Sequence, residues 1–465
     1  LDRSNLQGLV FQSYRCGHSR HFLFQCKDKA GARRFLAEWI PRITHGGIGL
    51  DNPTGPLINI AVSWPGLDKL GAFDGIGGVE AAAKAFFFDF KDPPDATSLR
   101  AYGPSAPENW WNKRFQSGDI DLTVHIYCNS PECLVTTSAE IRSSAQGNTL
   151  EELIPTKDAE AITGQALQPG LPGPPTVHFG YRDGFSQPLV NWDDDPALGQ
   201  GAPNNRQGAY PRGTFIIDDW DEKAQSFPRK QPWRDLVHHG SYLAFVWIYQ
   251  DVAAFNRFLR DNAPKLTPGL PQTEAEEFLA AKMMGRWRDG TPLVLSPDGP
   301  KPELAGHDFD YSQDAAGMSC PLAAHIRIVN GRDRPLNAAN RMMFPNGFPR
   351  VLRRSLPYGP WLEGCEDDGK DRGLIGMFLC ANVNQQFYPL TRWIGTTNFS
   401  DDYVDPTGQD PLFASRSVPR ASNGFTIPTA NGPVTLSEIP SFIRIQGVAI
   451  LLLPSLSTLR QLSGQ

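Results

Sequence analysis

Three short stretches carry side chains whose types and spacing could do chemistry. The first, Phe179-Gly180-Tyr181-Arg182-Asp183-Gly184-Phe185-Ser186-Gln187-Pro188, sets an aspartate among glycines. Glycine adopts backbone angles that other residues avoid, so such a loop can approach a flat ligand closely. An aspartate ionised at the working pH can take a proton and return it. The second stretch, Cys320-Pro321-Leu322-Ala323-Ala324-His325-Ile326-Arg327, offers a histidine whose neutral imidazole can donate an electron pair to a metal. The third, Val351-Leu352-Arg353-Arg354-Ser355-Leu356-Pro357-Tyr358-Gly359-Pro360, holds two permanent cations able to stabilise developing negative charge. Each has an ordinary reading as well. Asp-Gly is a common turn pair, and a lone histidine among nine is usually a hydrogen-bonded structural residue.

The elements that must position these groups read as strand-then-helix units. Phe22 to Asp28, leading to Arg34-Phe35-Leu36, resembles Phe245 to Asp251, leading to Arg257-Phe258-Leu259, at one constant offset (245 − 22 = 223, 258 − 35 = 223). In each, an apolar β-prone run precedes an Ala-containing stretch with helical spacing. A second pair is expected between Leu57 to Trp64, followed by a short helix at Gly66 to Leu70, and Gly373 to Ala381, followed by Gln385 to Trp393. Duplication is the inference. Proline- and glycine-rich runs, from Gln168 to Pro175 and from Thr267 to Pro271, predict loops. The pattern argues for an α+β fold, antiparallel sheets with helices packed on them.

Composition bounds the function. The 465 residues are 40% hydrophobic and 20% charged with a net charge of −6, an ordinary globular balance that implies no nucleic-acid partner. The longest aliphatic run, Val448 to Leu453, is too short to span a bilayer. No signal segment is visible, so the expected compartment is cytoplasmic, or secreted if a signal was removed. Seven cysteines, an odd and sparse set, suggest a reducing compartment; Cys128 and Cys133 could pair or bind metal, but with no matching Cys or His pair at zinc-site spacing they are expected to be free thiols. Covalent thioether attachment of a haem is not expected, since no Cys-x-x-Cys-His occurs.

Taken together, the loop around Asp183 resembles the Gly-x-x-Asp-Gly motif of dye-decolorising peroxidases, and the chain meets that family's demands downstream. The segment around His325 looks like its proximal-histidine segment and that around Arg353 like its distal-arginine segment, in the same order. Ala280 to Trp287, Gly373 to Cys380 and Gly408-Gln409-Asp410-Pro411-Leu412 also match, so the resemblance spans most of the chain. It implies two ferredoxin-like lobes, residues 1–235 ending in the loop with the distal aspartate and residues 236–465 binding one haem b. His325 is then the iron ligand, with Asp410 as the carboxylate on its other nitrogen. Asp183 is the acid/base for hydrogen peroxide, and Arg353 the charge stabiliser that could also hold Asp183 ionised. Arg327 could pair with a haem propionate or form a surface or interdomain salt bridge, and Gly184 and Phe378 are assigned to cofactor contact. A carboxylate base implies an acidic optimum.

The resemblance also implies bulky dyes and phenolics as one-electron donors, served through surface aromatic residues, for which Tyr358 and Trp393 are the choices. Both also read as core aromatics. The cluster Glu274, Glu276 and Glu277 could bind Mn(II), as some relatives oxidise it, or be a solvated helix face. The family's Asn-Pro-Arg after the histidine is here Asn330-Gly331-Arg332, and Val246-Trp247-Ile248 stands where a basic or polar residue is common. The sequence leaves oligomeric state open. The rival functions are a haem carrier or iron-handling protein with little peroxide turnover, and a structural α+β protein without haem.

Overall fold

The computed structural model describes residues 1–49, 53–74, 88–157, 160–167, 176–198, 208–217, 234–345, 347–396, 399–400, 408–419, 421 and 424–465. Its strands are β1 (His18–Cys26), β2 (Leu57–Val62), β3 (Leu122–Cys128), β4 (Leu150–Leu153), β5 (Ile162–Gln165), β6 (Val190–Asn191), β7 (Tyr210–Pro211), β8 (Ser241–Gln250), β9 (Leu352–Arg353), β10 (Leu356–Tyr358), β11 (Gly373–Cys380), β12 (Phe425–Ile427), β13 (Val434–Leu436) and β14 (Ile443–Leu453). Ten of them form one sheet in the order β10-β11-β8-β14-β2-β3-β1-β4, with β5 on β1 and β9 on β11. Its pairings are antiparallel, so the α+β expectation holds.

Each half of that sheet repeats one arrangement. In the first half the strands run β2-β3-β1-β4; numbering β8, β10, β11 and β14 as one to four gives the same second-third-first-fourth order in the other half. This is the ferredoxin-like order, twice. The halves meet edge to edge, where Leu452 of β14 pairs with Val62 of β2. The expected separate sheets are therefore continuous with one another.

The repeated sequence unit has a local cause. In both copies the recurring aspartate caps the helix that follows its strand: Gly31 N–H donates to Asp28 Oδ1 at 2.7 Å, and Ala254 N–H to Asp251 Oδ1 at 2.9 Å. The helices Lys29–Trp39 and Val252–Leu266 then bury Phe35, Leu36, Phe258 and Leu259. Each such side chain contributes about 1.5–3 kcal/mol relative to exposure. The second expected repeat is corrected by the topology. Gly373–Cys380 occupies the third position of its half, equivalent to β3, and not the second position held by β2. The run at 168–175 lies outside the described residues, and the run from Thr267 to Pro271 is the turn between Val252–Leu266 and the helix Gln272–Met284. Among the described residues no helix is long and apolar enough to cross a membrane.

Candidate active site

A cavity of about 310 Å³ opens beside β8, β11 and β14, and its apolar wall follows from strand alternation. Val246 and Ile248 of β8, Leu374, Gly376 and Phe378 of β11, and Ile443, Ile445 and Val448 of β14 line it. The change of parity between Ile445 and Val448 marks a bulge: Ile445 lies opposite Ile248, and the next pair is Gly447 with Trp247. Most of the lining comes from beyond residue 240, with Leu99, Arg100, Ser105 and the loop around Asp183 closing it from the other half.

His325 opens the five-residue helix His325–Val329 and faces this cavity. Its Nδ1 lies 2.5 Å from Oδ2 of Asp410, which is fully buried. The other oxygen of Asp410 accepts the backbone N–H groups of Leu412 (2.8 Å) and Phe413 (3.0 Å), so the carboxylate is fixed before it fixes the imidazole. The Phe413 ring lies 4.5 Å from the His325 ring, centroid to centroid. A histidine so held presents Nε2 in a set orientation.

Asp183 enters from a loop anchored at both flanks. Tyr181 O–H donates to the carbonyl of Ala280 at 2.7 Å, and Gln187 Nε2 donates to the carbonyl of Arg353 at 3.0 Å. Gly180 and Gly184 have φ of 86° and 89°, which bends the loop back on itself. Asp183 Oδ1 accepts the Gly184 N–H at 2.7 Å, and Oδ2 accepts the Ser355 hydroxyl at 2.8 Å. Ser355, two residues after Arg353, also lines the cavity. Arg353 reaches the same space, and its guanidinium donates to the carbonyl of Phe185. No ion pair joins Arg353 to Asp183 among the described residues. Arg354, the other member of the pair, points away and donates to the carbonyls of Leu9 and Val10.

The positive charge of the cavity is larger than the sequence reading supplied. Arg286, Arg332 and Arg350 line it together with Arg353. Burial first, and then the neighbouring Arg332, disfavours the charged form of Arg286. Arg350 is likewise pushed down by burial, with Arg332 and Arg353 adding to the effect. Nη1 of Arg350 and Nε of Arg332 are buried without a hydrogen-bond acceptor. Buried cationic donors left over in this way call for an anion. A haem fits such a cavity: the apolar walls suit its macrocycle, the orphaned donors its propionates, and His325 its iron.

Several expected residues lie elsewhere. Arg327 is fully buried and does not line the cavity; it pairs with Asp314 at 3.0 Å and donates to the carbonyl of Cys320 at 2.8 Å. Two residues along a helix turn a side chain by roughly 200°, so Arg327 faces away from His325. Arg332, beyond the helix end with φ of 56°, comes back to the cavity instead. Phe378 lines it, whereas Gly184 is exposed and required for its backbone angle. Tyr358 and Trp393 are 7% and 5% exposed, hence core residues and not surface aromatics. Trp393 packs among Phe344, Phe348 and Phe399. Glu277 is committed to Arg288 and Glu276 accepts from Gln272, and no metal-holding group of three acidic, histidine or cysteine residues occurs among the described residues.

No family model matches the chain. A dye-decolorizing peroxidase from Mycena epipterygia is 30% identical over 439 residues, covering 89% of this chain and 76% of the relative. One from Mycetinis scorodonius is 26% identical, covering 99% and 87%. Among solved structures, a fungal DyP-type peroxidase from Auricularia auricula-judae superposes with a TM-score of 0.79 at 24% identity, over 100% and 99% of the two chains. An ancestral D-type dye decolorizing peroxidase gives 0.78 at 25%, over 99% and 98%. Fold and relatives thus agree on a peroxidase, an oxidoreductase acting on peroxide. The chain belongs to the dye-decolorising peroxidase family.

Proposed function

We propose that this chain is a haem peroxidase that reduces hydrogen peroxide with Asp183 as acid/base and Arg353 as charge stabiliser, at acidic pH. The observation that carries the reading is the convergence of Asp183, Arg353 and an Asp410-held His325 on one cavity. The reading divides the chain near residue 235 into two lobes, the second carrying most of the cofactor contacts.

Bound haem b, one per chain, would supply the iron and the electrons that cleave the O–O bond. Asp410 accepts the Nδ1 proton of His325, leaving the Nε2 lone pair for the iron and raising its basicity. Asp183 takes a proton from hydrogen peroxide and returns it to the departing oxygen, which leaves as water. The Ser355 hydroxyl, donating to Oδ2, orients that carboxylate. Arg353 stabilises the negative charge that grows on the departing oxygen. Arg332 and Arg350, with buried donors left over, would hold the propionates, in place of Arg327.

The reductants are bulky dyes and phenolics. One related peroxidase structure, 24% identical, was solved in complex with 2,6-dimethoxyphenol. With Tyr358 and Trp393 buried, the exposed Trp361, stacked on His178 at 6.4 Å, is a more accessible aromatic.

The test is the Soret band of the hemin-supplied chain at mildly acidic pH, before and after one equivalent of peroxide, beside Asp183→Asn. The expected result is a shift within seconds that an anthraquinone dye reverses, slowed at least about 100-fold in the variant. A band inert to peroxide would instead make the protein a haem carrier, and no band would remove haem from the reading.

A further inference from the structure

The turn that follows the helix Gln272–Met284 grips the Asp183 loop at both ends. It closes where the Gly290 N–H donates to the Trp287 carbonyl and the Trp287 N–H to that of Thr291, both at 2.9 Å. Arg286 takes one end of the loop: its Nη2 donates to the Ser186 hydroxyl at 2.7 Å, and its guanidinium lies 5.8 Å from the Phe185 ring. Arg288 takes the other end. Its Nε donates to the Phe179 carbonyl at 3.2 Å, its guanidinium lies 5.7 Å from the Tyr181 ring, and its own carbonyl accepts the Arg182 N–H at 2.9 Å. Arg182 is the residue immediately before Asp183. Arg286 lines the cavity, whereas Arg288 is not among the described residues that do.

Glu277 fixes Arg288 in turn. One oxygen of its carboxylate accepts the Arg288 backbone N–H at 3.3 Å, and the other accepts from Nη1. The guanidinium also packs against bare backbone at Gly180, where a Cβ would fall 2.8 Å from Nε of Arg288. A planar guanidinium carries its donors in a fixed fork, so one side chain holds a carboxylate and a carbonyl at once. The contacts form a chain from the helix, through Glu277 and Arg288, to the backbone on the amino-terminal side of Asp183.

We propose that Arg288, held by Glu277, is a positioning residue that sets where the Asp183 carboxylate stands in the cavity. The inference rests on the reading of Asp183 as acid/base. The Gly184 N–H and the Ser355 hydroxyl orient the carboxylate oxygens, but they act at the tip of the side chain. Arg288 acts at its root, by fixing the loop at Phe179 and Arg182. Proton transfer to and from peroxide needs that root in place, because a reacting group displaced by about 1 Å can lose about 100-fold in rate. The side chains of Arg288 and Glu277 are 28% and 31% exposed, so their ion pair adds little to overall stability, and its effect is on geometry.

The test measures kcat/KM for hydrogen peroxide and, at saturating peroxide, for an anthraquinone dye, in the hemin-supplied full chain, in Arg288→Met, in Asp183→Asn and in the double variant. Arg288→Met should lower the peroxide constant about tenfold. The dye constant and the thermal midpoint should stay at the parent's values, since electron donation by the dye does not use the proton shuttle. In the Asp183→Asn background the same replacement should cost less than about twofold, because the group it positions is already gone. Glu277→Ala, which releases the guanidinium without removing it, should act in the same direction as Arg288→Met and decides if that variant does not fold. A peroxide constant equal to the parent's, a parallel fall in the dye constant, or a loss that persists undiminished in the Asp183→Asn background would each overturn the proposal. An Asp183→Asn variant as fast as the parent removes the acid/base reading itself, and the inference with it.

Discussion

Ser355 follows Arg353 by two residues, yet its hydroxyl reaches Asp183 on a loop more than 170 residues away. The proposed proton shuttle at Asp183 would need its carboxylate held in one orientation, and a single hydroxyl-to-carboxylate hydrogen bond contributes about 1.5 kcal/mol. Ser355→Ala should therefore lower kcat/KM for peroxide about tenfold, with an unchanged thermal midpoint; a rate equal to the parent would remove Ser355 from the site. Arg350 carries a second residue-scale prediction. Its Nη2 donates to the Ser186 carbonyl and its Nη1 has no acceptor, so Arg350→Met should weaken hemin binding about tenfold or more, measured by transfer to apomyoglobin. That His325, Asp183 and Arg353 line one cavity is expected from the ordered motifs in which each sits. The place of Arg332 at the cavity is not evident in Asn330-Gly331-Arg332, since the left-handed turn that returns it there is invisible in residue type. Of the two readings of Arg327, its pairing with Asp314 favours the salt bridge, because nearness in sequence on a helix does not mean a shared face.

At the scale of elements, the cap aspartates explain why one repeat was readable. Asp28 and Asp251 mark the same strand-to-helix junction, and each is tied to its helix by a hydrogen bond. Asp251→Ala should cost about 1 kcal/mol in urea unfolding. The other repeat was paired wrongly, and the reason is physical. The true counterpart of β11 is β3, Leu-Thr-Val-His-Ile-Tyr-Cys, a strand buried at every position whose polar Thr123 and His125 dilute its apolar pattern. Burial on both faces removes the alternation that sequence reading relies on. Within β11, Gly373 makes a stricter demand. A Cβ there would lie 1.9 Å from the backbone oxygen of Ile248 on β8. Gly373→Ala should destabilise the fold by about 1–3 kcal/mol and loosen the cavity wall that Ile248 and Leu374 share.

For the whole molecule, acidity acts in two opposed directions. His21 and His125 are buried in adjacent strands with their Nδ1 atoms 3.0 Å apart, and Ser19 and Thr123 meet their Nε2 atoms at 2.9 Å. Tyr127 and Phe245 close around the pair. Burial holds His21 well below the usual imidazole range and His125 down at about 3. Below about pH 6.5 the unfolded chain therefore binds protons that the folded chain refuses, so stability falls as pH falls, by about 1.4 kcal/mol per unit for each histidine. The thermal midpoint should decline from about pH 6.5 toward pH 3. His125→Asn should reduce that slope, and a flat profile in the parent would contradict the neutral pair. On the proposed reading of Asp183, peroxide turnover would strengthen over part of the range in which the scaffold weakens.

Strand β14 is central in the sheet but late in the chain. It lies between β8 and β2, bridges the two halves, and supplies Ile443, Ile445 and Val448 to the cavity wall. While a ribosome is still making the nearly 200 residues between β8 and β14, strand edges stand open and the cavity has no finished wall. On the proposed reading, haem capture would consequently be a late event in the life of each molecule, waiting for β14 to arrive.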